Sequence, residues 1–464
     1  MVKDKRQTAA PVRKNETLEA EIIDLTHEGM GVAKIEYYPI FIEGALVGET
    51  VEFKVIKTKK TFGFGKLLKV IEKSPDRVEI EDKIYAQTGT MPLQHLSYPA
   101  QLNFKKEQVE KVLSKIGNLG DIAVEEVIGM DEPFGYRNKA QVPVRKIEGR
   151  LTTGFFRKNS HDVIPIEDFK IQDPKIDQAI LTVRDIMRKF HVKPYNEKAH
   201  TGWLRHIIVR RGYFSGELMI VLVTNTHDFH REEEIVSALT NALPEMVSLI
   251  QNINTEKTNV ILGSESRVLF GQDSYKDDLL GFTFTISHQS FYQVNPVQTE
   301  KLYQTAVDFA GLTGSETVID AYCGIGTLTL ALSRQAKHVY GMEIVEPAID
   351  NAKLNAETNG VSNVSFEVGP AESIITEWAK ADKRADVIVV DPPRKGLAPE
   401  FIDAVLTMKP EKMVYVSCNP GTLARDLKIL SEGGYTVEKV QPVDMFPQTY
   451  HVESVCLLTR ISSM

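Results

Sequence analysis

The stretch Val318-Ile319-Asp320-Ala321-Tyr322-Cys323-Gly324-Ile325-Gly326-Thr327 decides the fold of the C-terminal part of the chain. An apolar strand, Thr317–Ala321, runs into a turn with two glycines, and Gly326–Ser333 opens a helix. Glycine permits the turn and lets a ligand approach the backbone closely. The next apolar strand, His338–Met342, ends at Glu343. Beyond it, Glu346–Asn359 reads as a helix and Val364–Val368 as a strand; Ala385–Asp391 is a strand, Pro399–Met408 a helix and Lys412–Ser417 a strand. Strand–helix alternation of this kind predicts a parallel, doubly wound sheet. Ligands in such sheets bind outside the carboxyl ends of the strands.

Three groups of residues fall at those ends. Glu343 is placed to accept hydrogen bonds from both hydroxyls of a ribose. The glycine turn lacks the third glycine of the dinucleotide fingerprint, which favours S-adenosylmethionine over NAD as the nucleoside ligand. Cys323, within the turn, reads as a small packed residue. Asp391-Pro392-Pro393-Arg394-Lys395-Gly396 follows the strand Val387–Val390, and its two prolines stiffen the loop that carries the Asp391 carboxylate. Cys418 ends the strand Val414–Ser417 and opens onto the ligand crevice, which favours a nucleophile over a packed thiol. Glu453, in His451-Val452-Glu453-Ser454, begins a final strand and supplies a carboxylate able to take a proton. One thiol and one carboxylate beside a methyl-donor pocket are the minimum set for methylating carbon 5 of a uracil. That carbon becomes nucleophilic only after a thiolate has added to carbon 6, and a base must then remove its proton.

The rest of the chain limits the partners. Its 464 residues suit several domains, and 42% apolar with 25% charged residues is an ordinary globular balance. No stretch is long and apolar enough for a membrane helix, and the first fifteen residues have no apolar core for a secretory signal. Three cysteines, Cys323, Cys418 and Cys456, make no disulfide framework, and a cytoplasmic protein is expected. The net charge of −8 means that a nucleic-acid partner would have to be gripped by local patches, and charge alone leaves the partner open. After a polar tail through Asn15, expected to be mobile, five short strands between Thr17 and Ile71 read as a closed barrel of the oligonucleotide-binding type. Three lysines and two phenylalanines in Lys57–Phe64 suit single-stranded RNA. A solvated hairpin with one buried ring is the alternative. The central region offers a helix at Gln101–Ile116 and two basic clusters. One comprises Arg137, Lys139, Arg145, Lys146 and Arg150, the other Arg205, Arg210 and Arg211. Alternation along a strand puts Arg145 and Lys146 on opposite faces.

The string Asp391–Gly396, Tyr415-Val416-Ser417-Cys418-Asn419, the triplet His451-Val452-Glu453 and Ser290-Phe291-Tyr292-Gln293-Val294-Asn295-Pro296 together resemble the RNA (uracil-5-)-methyltransferase family. The resemblance covers almost the whole chain and likens the N-terminal barrel to the TRAM domain of the ribosomal-RNA branch. It implies an α/β chain of three parts. These are a TRAM barrel with its tail (1–73), a central mixed α+β RNA-recognition domain (74–285) and a Rossmann-like methyltransferase domain (286–464). It implies Cys418 as nucleophile, Glu453 as base, and Gln293, Tyr322, Glu343 and Asp391 as contacts of S-adenosylmethionine. The implied partner is RNA, ribosomal ahead of transfer RNA, with no membrane and a monomeric state. Many relatives hold an iron–sulfur cluster through a Cys-Gly-Gly-Cys stretch before Gln-His. Here those residues are Thr88-Gly89-Thr90-Met91-Pro92-Leu93-Gln94-His95, so no cluster and no metal site is expected. A base N-methyltransferase and a non-catalytic RNA-binding protein are the rival classes; neither explains Cys418.

Overall fold

The computed structural model describes residues 10–80 and 83–461. They form two compact units. Residues up to Gln108 together with Phe446–Tyr450 make one; Val109–Met445 and the residues from His451 onward make the other.

In the first unit, β1 (Thr17–Leu25), β2 (Gly31–Ile35), β3 (Tyr38–Glu43), β4 (Thr50–Thr58) and β5 (Gly63–Glu72) close into a barrel in the order β1-β2-β3-β5-β4. Alternate residues point inward, so Ile22, Ile40, Ile42, Val51, Phe53 and Val55 fill the centre. A Cβ at Gly65 would lie 2.7 Å from Phe53 Cδ2, so only glycine lets β5 pass this ring. The tail differs from its expected mobility over residues 10–15. Val12 is buried in the barrel core and the Asn15 amide donates to Val55 O, because one apolar side chain and one free strand-edge carbonyl suffice to anchor it. Residues 1–9 of the expected tail lie outside the described residues. On the outside of the barrel Phe41, Phe62 and Phe64 form a half-buried cluster with ring centroids 5.5–5.9 Å apart, beside exposed Lys57, Lys59 and Lys60.

The segment in place of the cluster cysteines is a packed knot. Thr88 Oγ1 donates to Tyr85 O and shares a 2.6 Å hydrogen bond with Thr90 Oγ1. Met91 and Leu93 are buried, and Leu93 joins Leu46, Leu96 and Phe104 in a small core. The Leu93 amide donates to Gln448 O, and the side chain of Gln101, on α1 (Tyr98–Lys115), bonds to Gln448 through both its amide groups.

The second unit begins with a sheet of β6 (Lys139–Ile147), β7 (Arg150–Phe156), β8 (Val163–Pro165), β9 (Leu204–Arg211), β10 (Leu218–Thr224), β11 (Met246–Ile253) and β12 (Glu265–Gly271), in the order β12-β11-β10-β9-β6-β7-β8. The helices α2 (Pro174–Lys189) and α3 (Glu232–Ala242) bury Ile176, Val183, Ile235 and Leu239 in the core it shares. Most of the second basic cluster is structural rather than an RNA surface. Arg205 and Arg210 are buried and donate to backbone carbonyls, Arg205 to Asn254 and Glu256, Arg210 to Ser287, His288 and Ser290. A buried guanidinium is retained because its donors meet irregular backbone that would otherwise lack partners. A hairpin of β13 (Ser274–Leu279) and β14 (Phe282–Ser287) leads on to α4 (Pro296–Ala310).

The remaining elements are β15 (Thr317–Ala321), α5 (Thr327–Ser333), β16 (His338–Glu343), α6 (Glu346–Thr358), β17 (Val364–Val368), α7 (Ala371–Lys380), β18 (Val387–Val390), α8 (Pro399–Met408), β19 (Lys412–Ser417), α9 (Pro420–Glu432), β20 (Tyr435–Val443) and β21 (Glu453–Arg460). They form one sheet in the order β17-β16-β15-β18-β19-β21-β20. Its first five strands are parallel, whereas β21 is antiparallel to both its neighbours. Strand order reverses between β15 and β18, and ligand crevices form at such a switch point.

Candidate active site

Strand register brings the expected residues together. Ala321 pairs with Met342 on one side and Val390 on the other, so Tyr322, Glu343 and Asp391 all stand at or just beyond the carboxyl ends of adjacent strands. Val390 pairs with Tyr415, which puts Cys418 at the next strand's end. Ser417, the last residue of β19, pairs with Ser454 across an antiparallel ladder, so Cys418 and Glu453 each lie one residue from this pair, and Cys418 feels the Glu453 charge. The reversal of β21 is what lets one sheet offer a strand end and a strand start at the same edge of the crevice.

The glycine turn is shaped for a ligand. Tyr322, Gly324 and Gly326 all have left-handed φ values, of 67°, 55° and 85°. A tyrosine in that region costs energy, and such strain collects at ligand sites. A Cβ at Gly324 would meet nothing within 4 Å, so the turn presents open backbone, while Gly341 beneath it gives way to Cys323 Sγ and Phe366. Cys323 is the packed residue its sequence context suggests. Glu343 accepts from Gly324 N at 3.2 Å and from Val345 N at 3.0 Å, one bond to each oxygen. That fixes the carboxylate and leaves each oxygen a second lone pair for a ribose hydroxyl.

The loop after β18 is held from outside. Asn419 Nδ2 and Thr422 Oγ1 both donate to Arg394 O, at 3.1 Å each, while Asn419 Oδ1 caps α9 by accepting from Gly421 N. Asp426, fully buried, accepts from Leu397 N at 2.8 Å and from the Tyr415 hydroxyl at 2.7 Å. Two prolines remove donors from this loop, and α9 supplies the contacts that replace them.

Electrostatics single out the same residues. Burial pushes the Glu453 carboxyl up to about 8, with the negative charge of Asp391 adding to it and the Arg394 guanidinium opposing it. Burial alone pushes Asp391 up to about 7, and Asp320, which accepts from Thr329 Oγ1, likewise to about 7. The half-buried Cys418 thiol is raised to about 11 by burial first and then by Glu453 and Asp391, against Arg394. Three neighbouring carboxyls raised chiefly by burial mark this place as a candidate functional site.

Gln293 reaches the same place through its neighbours. Its side chain bonds to the buried Tyr303, which also contacts Thr327 and feels the charge of Asp391. The Gln293 carbonyl accepts from Asn138 Nδ2. Asn295 caps α4 and donates to Met445 O at 3.0 Å, locking the Ser290–Pro296 segment. The sequence reading passed over Tyr303 and Asp426. Both are helix residues whose partners lie far along the chain, and an apolar-face pattern masks a tyrosine. Arg394 was visible only as part of its motif. Among the described residues no group of three or more His, Cys, Asp or Glu could hold a metal ion.

Known proteins share this architecture. A family model described as tRNA (uracil-5-)-methyltransferase matches residues 97–461, and a TRAM domain model matches residues 11–68. RNA methyltransferases of Enterococcus faecalis and Lactiplantibacillus plantarum are each 54% identical over 97% of this chain and 98% of their own length. The crystal structure of a Pyrococcus abyssi tRNA (uracil-54, C5)-methyltransferase in complex with S-adenosyl-L-homocysteine superposes with a TM-score of 0.76 at 28% identity, covering 95% of this chain and 99% of that one. With the barrel, the methyltransferase sheet and this extent of likeness, the chain belongs to the tRNA (uracil-5-)-methyltransferase family of S-adenosylmethionine-dependent RNA methyltransferases, and it carries an N-terminal TRAM domain.

Proposed function

We propose that this protein methylates carbon 5 of a uridine in ribosomal RNA, with Cys418 as nucleophile and Glu453 as base. The observation that supports the reading is a half-buried thiol and a buried carboxylate that flank the last pair of the β19–β21 ladder, with the Glu453 charge acting on Cys418. S-adenosylmethionine, when bound, supplies an electrophilic methyl group on a sulfonium cation. Glu343 would hold its ribose, Tyr322 and Gln293 would border its nucleoside, and Asp391 would meet its positive charge. Cys418 would give its proton to solvent water as its sulfur bonds to carbon 6 and the ring's double-bond electrons move to carbon 5, with the Arg394 charge favouring the thiolate. Carbon 5 would then bond to the methyl carbon as the sulfur–methyl bond breaks and S-adenosylhomocysteine leaves. Glu453 removes the carbon-5 proton, the ring double bond re-forms and the Cys418 sulfur leaves. A base N-methyltransferase would give this thiol no task.

A TRAM-type barrel favours ribosomal RNA, but the Pyrococcus abyssi transfer-RNA enzyme aligns with 95% of this chain, so the test covers both RNAs. Ribosomal and transfer RNA from a deletion strain are mapped for 5-methyluridine; loss from ribosomal RNA is expected, and loss from transfer RNA alone would move the substrate. RNA containing 5-fluorouridine should trap a covalent adduct with the wild type. Cys418→Ala should give none while still binding S-adenosylhomocysteine. An adduct with Cys418→Ala would overturn the assignment.

A further inference from the structure

A cleft of about 1430 Å³ opens at one end of the central sheet, larger than the few hundred to 1,000 Å³ of small-molecule sites. It is walled by the turn of the β6–β7 hairpin and by residues 191–202. Lys146, Arg150, Lys193, Lys198 and Lys257 line it, all exposed, and none has a side-chain partner among the described residues. The acids in its lining are Asp162 and Glu197, and Glu197 is already taken by Arg145 at 3.3 Å and His161 at 2.8 Å. In a chain of net charge −8 this is a concentrated and unneutralised positive field in a concave surface. Alternation assigned Arg145 and Lys146 to opposite faces; both line the cleft because it wraps around the end of their hairpin.

The cleft stands apart from the reacting groups. At one end of β6 the Asn138 amide donates to Val294 O, next to Gln293. Arg145 is seven residues further on, up to about 23 Å along the strand at about 3.3 Å per residue. A nucleotide held at Cys418 therefore does not fill the cleft.

We propose that this cleft is a second RNA-docking site, which grips phosphates of the substrate several nucleotides away from the target uridine. The inference rests on the RNA reading above and adds a length requirement to it. The triple variant Lys193→Glu/Lys198→Glu/Lys257→Glu alters surface lysines only. Retained thermal unfolding and S-adenosylhomocysteine binding will show that it is folded. Both proteins are assayed on unmethylated ribosomal RNA and on the shortest nuclease-trimmed fragment that the wild type still methylates. We expect KM for the long RNA to rise about tenfold or more, kcat to hold, and the slope of log affinity against log salt to fall by about 3. KM for the short fragment should not move. An unchanged KM on long RNA, or an equal rise on both, would overturn the proposal. Should the wild type methylate neither RNA, the uridine reading fails instead, and filter binding of the same ribosomal RNA still tests the cleft.

Discussion

Cys418 and Glu453 flank the Ser417–Ser454 pair, where the parallel sheet meets its antiparallel strand, and the Glu453 charge acts on the Cys418 thiol. On the proposed mechanism Glu453 acts only after the sulfur–carbon bond has formed. Glu453→Gln keeps size and hydrogen bonding but lacks the basicity to take the carbon-5 proton. The variant should methylate once and stall with ordinary uridine RNA attached through Cys418, giving a slow band on a denaturing gel. The double variant with Cys418→Ala should lose the band. Release of free methylated RNA at the wild-type rate would reassign the base, with His451 the next candidate.

The raised carboxyls give a pH dependence with a defined sign. Asp320 and Asp391 move from the ordinary carboxylate range up to about 7, and Glu453 to about 8. Folding therefore binds protons between the unfolded and folded values. The stability these groups contribute is present in acid and is lost as pH rises through about 7 to 8. A sulfonium cation offsets the charge that appears. Binding measured from about pH 6 to about pH 8.5 should show a growing preference for S-adenosylmethionine over S-adenosylhomocysteine, whose sulfur carries no charge. A constant ratio would remove Asp391 as the residue facing the cation.

Asp426 tests whether the Asp391 loop is held from behind. Asp426→Ala leaves Leu397 N and the Tyr415 hydroxyl buried without their acceptor. Lost bonds of this kind cost about 2–4 kcal/mol in urea unfolding, and S-adenosylmethionine affinity should fall with it. Asp403→Ala, on the exposed face of α8, should change neither.

The knot around Met91 should behave as packing and not as a metal site. Protein purified without oxygen should hold no stoichiometric iron or sulfide, and air should not inactivate it. Met91→Ala should cost about 2–5 kcal/mol, since it empties a buried site. Elemental analysis finding about four irons per chain would contradict this, because no cysteine precedes residue 323.

The sequence made the strand ends legible because buried parallel strands read as short apolar runs, and Tyr322, Glu343, Asp391 and Cys418 each follow one directly. It also showed Glu453 at the start of its strand. The position of β21 between β19 and β20 was not legible, since local pattern carries no strand order. Arginines misled for a related reason. Arg145 and Arg205 look alike in a sequence, yet one lines an open cleft and the other bonds buried carbonyls. Only the fold says where a carbonyl needs a donor. Residues 83–97 show no strand or helix period in the sequence because they are turns and one short 3-10 helix, Tyr85–Gln87, joined by Thr88, Leu93 and Gln101, whose partners no repeat encodes.

The acidic surroundings of Cys418 also bear on chemical survival. A thiol raised to about 11 is almost wholly protonated at neutral pH, and peroxide, disulfides and alkylating agents react with thiolate. The resting thiol is thus shielded by its neighbours from oxidants and electrophiles, although it is not sealed from solvent. Iodoacetamide should label it more slowly than it labels free cysteine. An inhibitor that only seeks reactive cysteines should pass this one by, whereas a fluorinated uridine, which on the proposed mechanism is attacked by Cys418 itself, should not.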